Sequence, residues 1–374
     1  MIKHNRYALN NRYMNSMIKY ERNTEALLFL KTLRKRANNY FIENNISKKA
    51  NGLVVFKTIF FISLFFISYF LLISNKFSPS LALIYAIICG LSSVFILFNI
   101  SHDASHNALF KSKKINKLLT YTFNLIGGSG YMWNITHDKI HHIYPNVIDI
   151  DADLNQSKPF LRVAPEMERL KIHKFQHFYA PILYSIYTLY LVFIKDFQDI
   201  GIISKKDSPL LKVRHNIKEY IILIGSKLTY ITYALILPLL LLDIEWWKIL
   251  LGYLLVNIIM SLLLLAVQLP LHINTGSSFA VVTEDNKIQK SWIIHTLENT
   301  TDYLAKSKVA NFLFGGLNSH SIHHLFEGVC HVHYTELSKI LEKTADEFGM
   351  AYRNVTMWQA IKSHFRVLKM LGKE

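Results

Sequence analysis

Four long apolar stretches constrain the fold of this chain more than any other feature. Val54 to Ser74 carries one early charge, Lys57, and Leu81 to Ile100 carries none, while Leu228 to Trp247 and Leu250 to Leu271 follow far downstream. About 20 apolar residues in a helix cross the roughly 30 Å of hydrocarbon in a bilayer. Only a structure that satisfies its own backbone polar groups survives there. The expectation is an all-α, multi-pass integral membrane protein with four transmembrane helices, at about 54–74, 81–100, 228–247 and 250–271. Residues 1–52 would form an N-terminal region, and 53–374 a single membrane domain whose helical cap comes from 101–220 and 272–374.

Charge orients this arrangement. Lysine or arginine occupies eleven positions from Lys3 to Lys49, with no apolar core and cleavage site of the signal-peptide kind. The linkers near 75–79 and 243–248 each hold a single lysine, Lys76 and Lys248. By the positive-inside rule, the N-terminus, the long 101–220 stretch and the C-terminal region are cytosolic. The formal net charge of +16 therefore reflects topology and attraction to anionic lipid or an acidic redox partner, not nucleic-acid binding. Only Cys89 and Cys330 are present, which excludes a disulfide framework and a thiolate cluster. Any metal is left to histidine or carboxylate.

Two segments need a place relative to the membrane. "NTEALLFLKTLRKRANNYF", with Asn23 or Thr24 as N-cap, reads as an amphipathic helix whose basic face suits either a membrane surface or solvent. "FYAPILYSIYTLYLVF", from Phe178 to Phe193, is long enough to be a fifth span. An extra crossing would put the histidines near 140 and those near 320 on opposite sides, so this segment is expected in the interface.

Those histidines carry the chemistry. Of seventeen, eight fall in three clusters: "HDASH" with His102 and His106, "HDKIHH" with His137, His141 and His142, and "HSIHH" with His320, His323 and His324. Spacings of three and four bring side chains to one helix face, and an adjacent pair splays by about 100°, so one histidine can serve each of two ions. A single HxxxH pair is commonplace on protein surfaces. Three clusters at the ends of membrane helices point to a dinuclear site assembled from distant parts of the chain. Imidazole suits zinc, copper, iron or nickel, and oxygen chemistry on an apolar substrate favours iron. A zinc protease needs glutamate second in HExxH, where this chain has Asp103. A metal transporter would carry ionisable groups along its spans, and these spans are nearly free of them.

The three boxes, with "FNLIGGSGYMWNITHDKIHHIYPNVIDIDADL" and "HTLENTTDYLAKSKVANFLFGGLNSHSIHHLFEGVCHVHY", resemble the membrane fatty acid desaturases, within them the linoleoyl-CoA or front-end group, over roughly residues 25 to 360. That resemblance implies a di-iron centre on the cytosolic side, O2 as oxidant, and a double bond placed in a fatty acyl chain carried by CoA, acyl carrier protein or phospholipid. It implies as ligands His102, His106, His137, His141, His142, His320, His323 and His324, with His295 in "WIIHTLENTTDY" as a ninth. Ligating imidazoles commonly give their second N–H to a carboxylate, which makes Asp103, Asp151 and Asp153 candidate supports, with His331 beside them. His272, at the end of the fourth span, reads as an interfacial hydrogen-bonding group, with an intramembrane functional residue as the alternative. No His-Pro-Gly-Gly haem signature is present, so a separate donor such as ferredoxin or a cytochrome would supply electrons. Three positions depart from the pattern: His320 where front-end enzymes usually have Gln, Asp138 where Asn is common, and Glu327 where Pro is common. A hydroxylase on the same scaffold is the alternative outcome.

Overall fold

The computed structural model describes residues 18–204 and 215–373. Residues 1–17 of the expected N-terminal region, and 205–214 of the expected cap, lie outside the described residues. Apart from two pairs of two-residue strands, the described elements are helical.

Among the described residues, four helices are long and apolar enough to cross a membrane: Gly52–Ile73, Pro79–Ser105, Ile217–Leu241 and Trp246–His272. Asn51 caps the first through its side chain and Pro79 opens the second at a position where its missing N–H costs nothing. The second span packs between the first and the fourth. Gly90 makes the approach to the fourth span possible, since a Cβ there would lie 2.5 Å from Val256 Cγ1.

The third span begins eleven residues before the expected start and ends at Leu241, before the turn that leads to Trp246. Lys227 explains the difference. A charge usually ends an apolar run, but this one is buried and paired with Asp196, and it also donates to the carbonyls of Gly127 and Leu191. The helix continues through it.

The segment around Phe178 is two helices, Lys171–Ser185 and Tyr187–Ile203, bent by 63°. Two crossings, the third and fourth spans, separate His142 from His272. The histidine clusters on either side of those helices meet in one site, as described below, an arrangement that needs an even number of crossings between them.

The helix Thr24–Glu43 is capped by Asn23, whose side chain accepts from Ala26 N. Its apolar face, Phe29, Leu33 and Ala37, packs on Leu337, Leu341 and Ala345 of the helix Tyr334–Phe348. Its other face leaves Leu27 and Leu28 exposed beside Lys31 and Arg34.

Candidate metal centre

Each histidine cluster sits where regular helix gives way. The second span turns π-helical at Leu97–Ser101 immediately before the short helix His102–Ser105. The second cluster lies on the π-helical Asn134–His141, where His142 N donates to His137 O at 3.0 Å. The third occupies the short helix His320–Leu325. A π-turn, bonded i→i+5, brings residues five apart nearer to one face than an α-turn does, and His142 Nε2 comes within 3.2 Å of His137 Nε2.

Gly315 brings the third cluster in close. Its φ is +60°, and a Cβ there would stand 2.0 Å from Phe98 O in the π segment. Asp302 then holds the start of the third helix, accepting from Ser321 N at 2.8 Å and from Tyr352 OH at 2.9 Å. Burial pushes its carboxyl up to about 6.

These elements gather eight histidines into two sets of four. Ligand atoms of His102, His106, His137 and His323 lie within 4.8 Å of one another, as do those of His141, His272, His320 and His324. The adjacent pair His323 and His324 divides between the sets. His142 stands between them, its ring centroid 4.3 Å from that of His324 and 4.5 Å from those of His106 and His323.

The structure places His295 outside both sets. The helix Trp292–Asn299 turns its imidazole toward the 145 loop, where Nε2 lies 2.6 Å from Pro145 O. The fourth place in the second set belongs to His272, the last residue of the fourth span. Its Nε2 is 3.0 Å from His141 Nε2 and 2.6 Å from His320 Nε2. Its Nδ1 donates to Asn299 O at 3.1 Å, which leaves Nε2 without a proton and aimed at the set. The signal for it in the sequence is an ionisable side chain closing a span of 27 residues whose only other charged residue is Lys248 at its start.

The supporting acids separate into different roles. Asp151 is 1% exposed and accepts from His141 Nδ1 at 3.0 Å and Asn146 N at 2.8 Å. Burial disfavours the charged form of His141, but the Asp151 carboxylate outweighs it and holds the ring up at about 9. Asp153 lies 3.7 Å from the same nitrogen with 39% of its side chain exposed. Asp103 does not reach a clustered histidine closely, standing 4.0 Å from His102 Nδ1. It accepts from His331 N at 2.9 Å and His331 Nδ1 at 2.8 Å, and His331 Nε2 faces Lys57 Nζ at 3.1 Å. The buried trio Asp103, Cys330 and His331 is therefore closed by protein groups. His333 packs on Phe41 and points at Lys49 O.

The remaining electrostatics are those of a ligand set. Burial first, then the like charges of neighbouring imidazoles, drive His106, His137, His142, His320, His323 and His324 far below the ordinary histidine range. Both ring nitrogens of His102, Nε2 of His106 and Nε2 of His323 are buried with no hydrogen-bond partner. Unpartnered buried nitrogens are costly. A bridging proton satisfies one pair of bare nitrogens, whereas a cation satisfies a whole set of four. The donor set fits two ions that take neutral nitrogen ligands.

Beside the second set is a cavity of about 80 Å³ lined by His137, His141, His272, His320, Tyr187 and Gln268. A larger one, about 310 Å³, lies among the four spans between Tyr69, Cys89, Tyr233, Gly252 and Met260.

Comparison with known proteins adds three findings. A family model described as fatty acid desaturase matches residues 78–356, a range that contains all nine of the histidines just placed in or between the sets. An acyl-lipid (8-3)-desaturase of Physcomitrium patens is 29% identical over 346 residues, 92% of this chain and 72% of that protein. An sn-1 linoleoyl-lipid 6-desaturase of Synechocystis sp. is 28% identical over 356 residues, 92% of this chain and 96% of that protein.

Proposed function

The chain belongs to the fatty acid desaturase family of membrane oxidoreductases, and from that premise we propose that it removes two hydrogens from adjacent carbons of a lipid-linked acyl chain, with O2 as oxidant, at two histidine-held irons. The observation that carries this reading is the pair of four-histidine sets. His102, His106, His137 and His323 would hold one iron, and His141, His272, His320 and His324 the other, with His142 between them. Iron so bound supplies the redox chemistry that activates O2 and cleaves unstrained C–H bonds.

The protein's own part is placement. Asn299 and Asp151 fix the protons of His272 and His141 on Nδ1 and present Nε2 inward. Near-complete burial keeps water from the reacting carbons. The cavity beside His141, His272 and His320 holds the acyl segment, and its register against the sets selects the bond. Two electrons from a separate carrier, such as a ferredoxin or a cytochrome, and two protons complete the reduction of O2 to two waters. The relatives named for acyl-lipid and linoleoyl-lipid substrates favour a lipid carrier over CoA or acyl carrier protein. The eleven basic residues before the first span favour a site on the cytosolic side.

Expression in cells lacking desaturases, followed by mass spectrometry of the lipid acyl chains, tests this. The expected product is two hydrogens lighter than its precursor, with a double bond at one position. A product one oxygen heavier indicates a hydroxylase on the same scaffold. No new acyl product, with iron and a reductant supplied, overturns the reading.

A further inference from the structure

Glu327 follows the third cluster in the turn after Phe326, yet its side chain faces the other two clusters. Oε1 lies 3.4 Å from His142 Nδ1, and Oε2 lies 4.0 Å from His106 Nδ1. The opposite nitrogen of His142 faces inward, its Nε2 meeting His137 Nε2 at 3.2 Å, whereas His106 Nε2 lies 3.4 Å from Asp138 Oδ1. His142 Nδ1 is buried and without a hydrogen-bond partner of its own. The second set has Asp151 and Asn299 to fix its protons, whereas at His142 Glu327 is the carboxylate that faces Nδ1. Its side chain is 42% exposed, so it joins this edge of the centre to solvent.

We propose that Glu327 is a positioning residue that accepts from the Nδ1–H group of His142, holding that ring with Nε2 toward the metal and tying the third cluster to the second. The role rests on the metal-centre reading above. A carboxylate here does for His142 what Asp151 does for His141, and a residue without an acceptor in its side chain cannot.

The test is metal release. Wild type, Glu327→Gln and Glu327→Ala are purified in detergent with iron bound, and loss of iron to a chelator is followed alongside Mössbauer spectra of the 57Fe-loaded proteins. Glu327→Ala is expected to release one iron about ten- to hundredfold faster, the range for removing such a support, with a changed spectrum for one site. Glu327→Gln keeps an amide oxygen that accepts from an imidazole N–H and is expected to fall between. Release rates and spectra in both variants equal to wild type overturn the proposal, as do equal losses in Gln and Ala. If the Ala variant does not fold, Gln with unchanged release and an unchanged spectrum overturns it alone. Wild-type protein that binds no iron sinks the metal-centre reading beneath it, a result distinct from any effect at Glu327.

Discussion

At single residues, where each imidazole keeps its proton decides what it faces. Asp151 and Asn299 take the Nδ1 protons of His141 and His272 and turn the other nitrogens inward. Asp151→Asn preserves the shape and removes the charge, and it is expected to weaken metal binding about 10- to 100-fold, measured by competition with a chelator. Asp302 acts one step further out, on the start of the third helix. Asp302→Ala leaves Ser321 N without its acceptor and is expected to cost about 1–3 kcal/mol, seen as a lower denaturation midpoint in detergent. Eight of the clustered histidines are legible from spacing alone, because i, i+3 and i+4 neighbours share a helix face. His272 is not, since nothing near it in the chain repeats. It comes to the site through the tertiary packing of the fourth span, while His295, more suggestive in its sequence, is turned away by the helix that carries it.

Among elements, the π-helical segments matter most. Leu97–Ser101 inserts a wider turn just before His102, and Asn134–His141 sets His137 and His142 five residues apart on one face. Apolar periodicity does not distinguish these turns from α-helix, so the cluster spacings are readable but their true phase is not. Inserting one alanine into the regular helix just before Leu97 would rotate His102 and His106 by about 100° relative to the rest. The expected outcome is loss of bound iron with the far-UV circular dichroism spectrum retained. Full iron content in that variant would show that the phase is set elsewhere. The third span illustrates the opposite case: its true start is hidden because Lys227 looks like a boundary until Asp196 is seen beside it.

For the whole molecule, hydropathy reveals the four spans and leaves their assembly open. Which ends meet depends on packing such as that at Gly90, and on the bent pair 171–203 staying out of the count of crossings. Histidines from the ends of the second and fourth spans, from the π-helical segment Asn134–His141 between them and from the later helix His320–Leu325 then form one buried centre. The most direct test is the number of irons per chain in purified protein, determined by elemental mass spectrometry for wild type, His272→Ala and His295→Ala. The account predicts about two in wild type and in His295→Ala, and about one in His272→Ala, as two sets of four nitrogen donors require. One iron or none in the wild type, or two in His272→Ala with loss in His295→Ala, would contradict it.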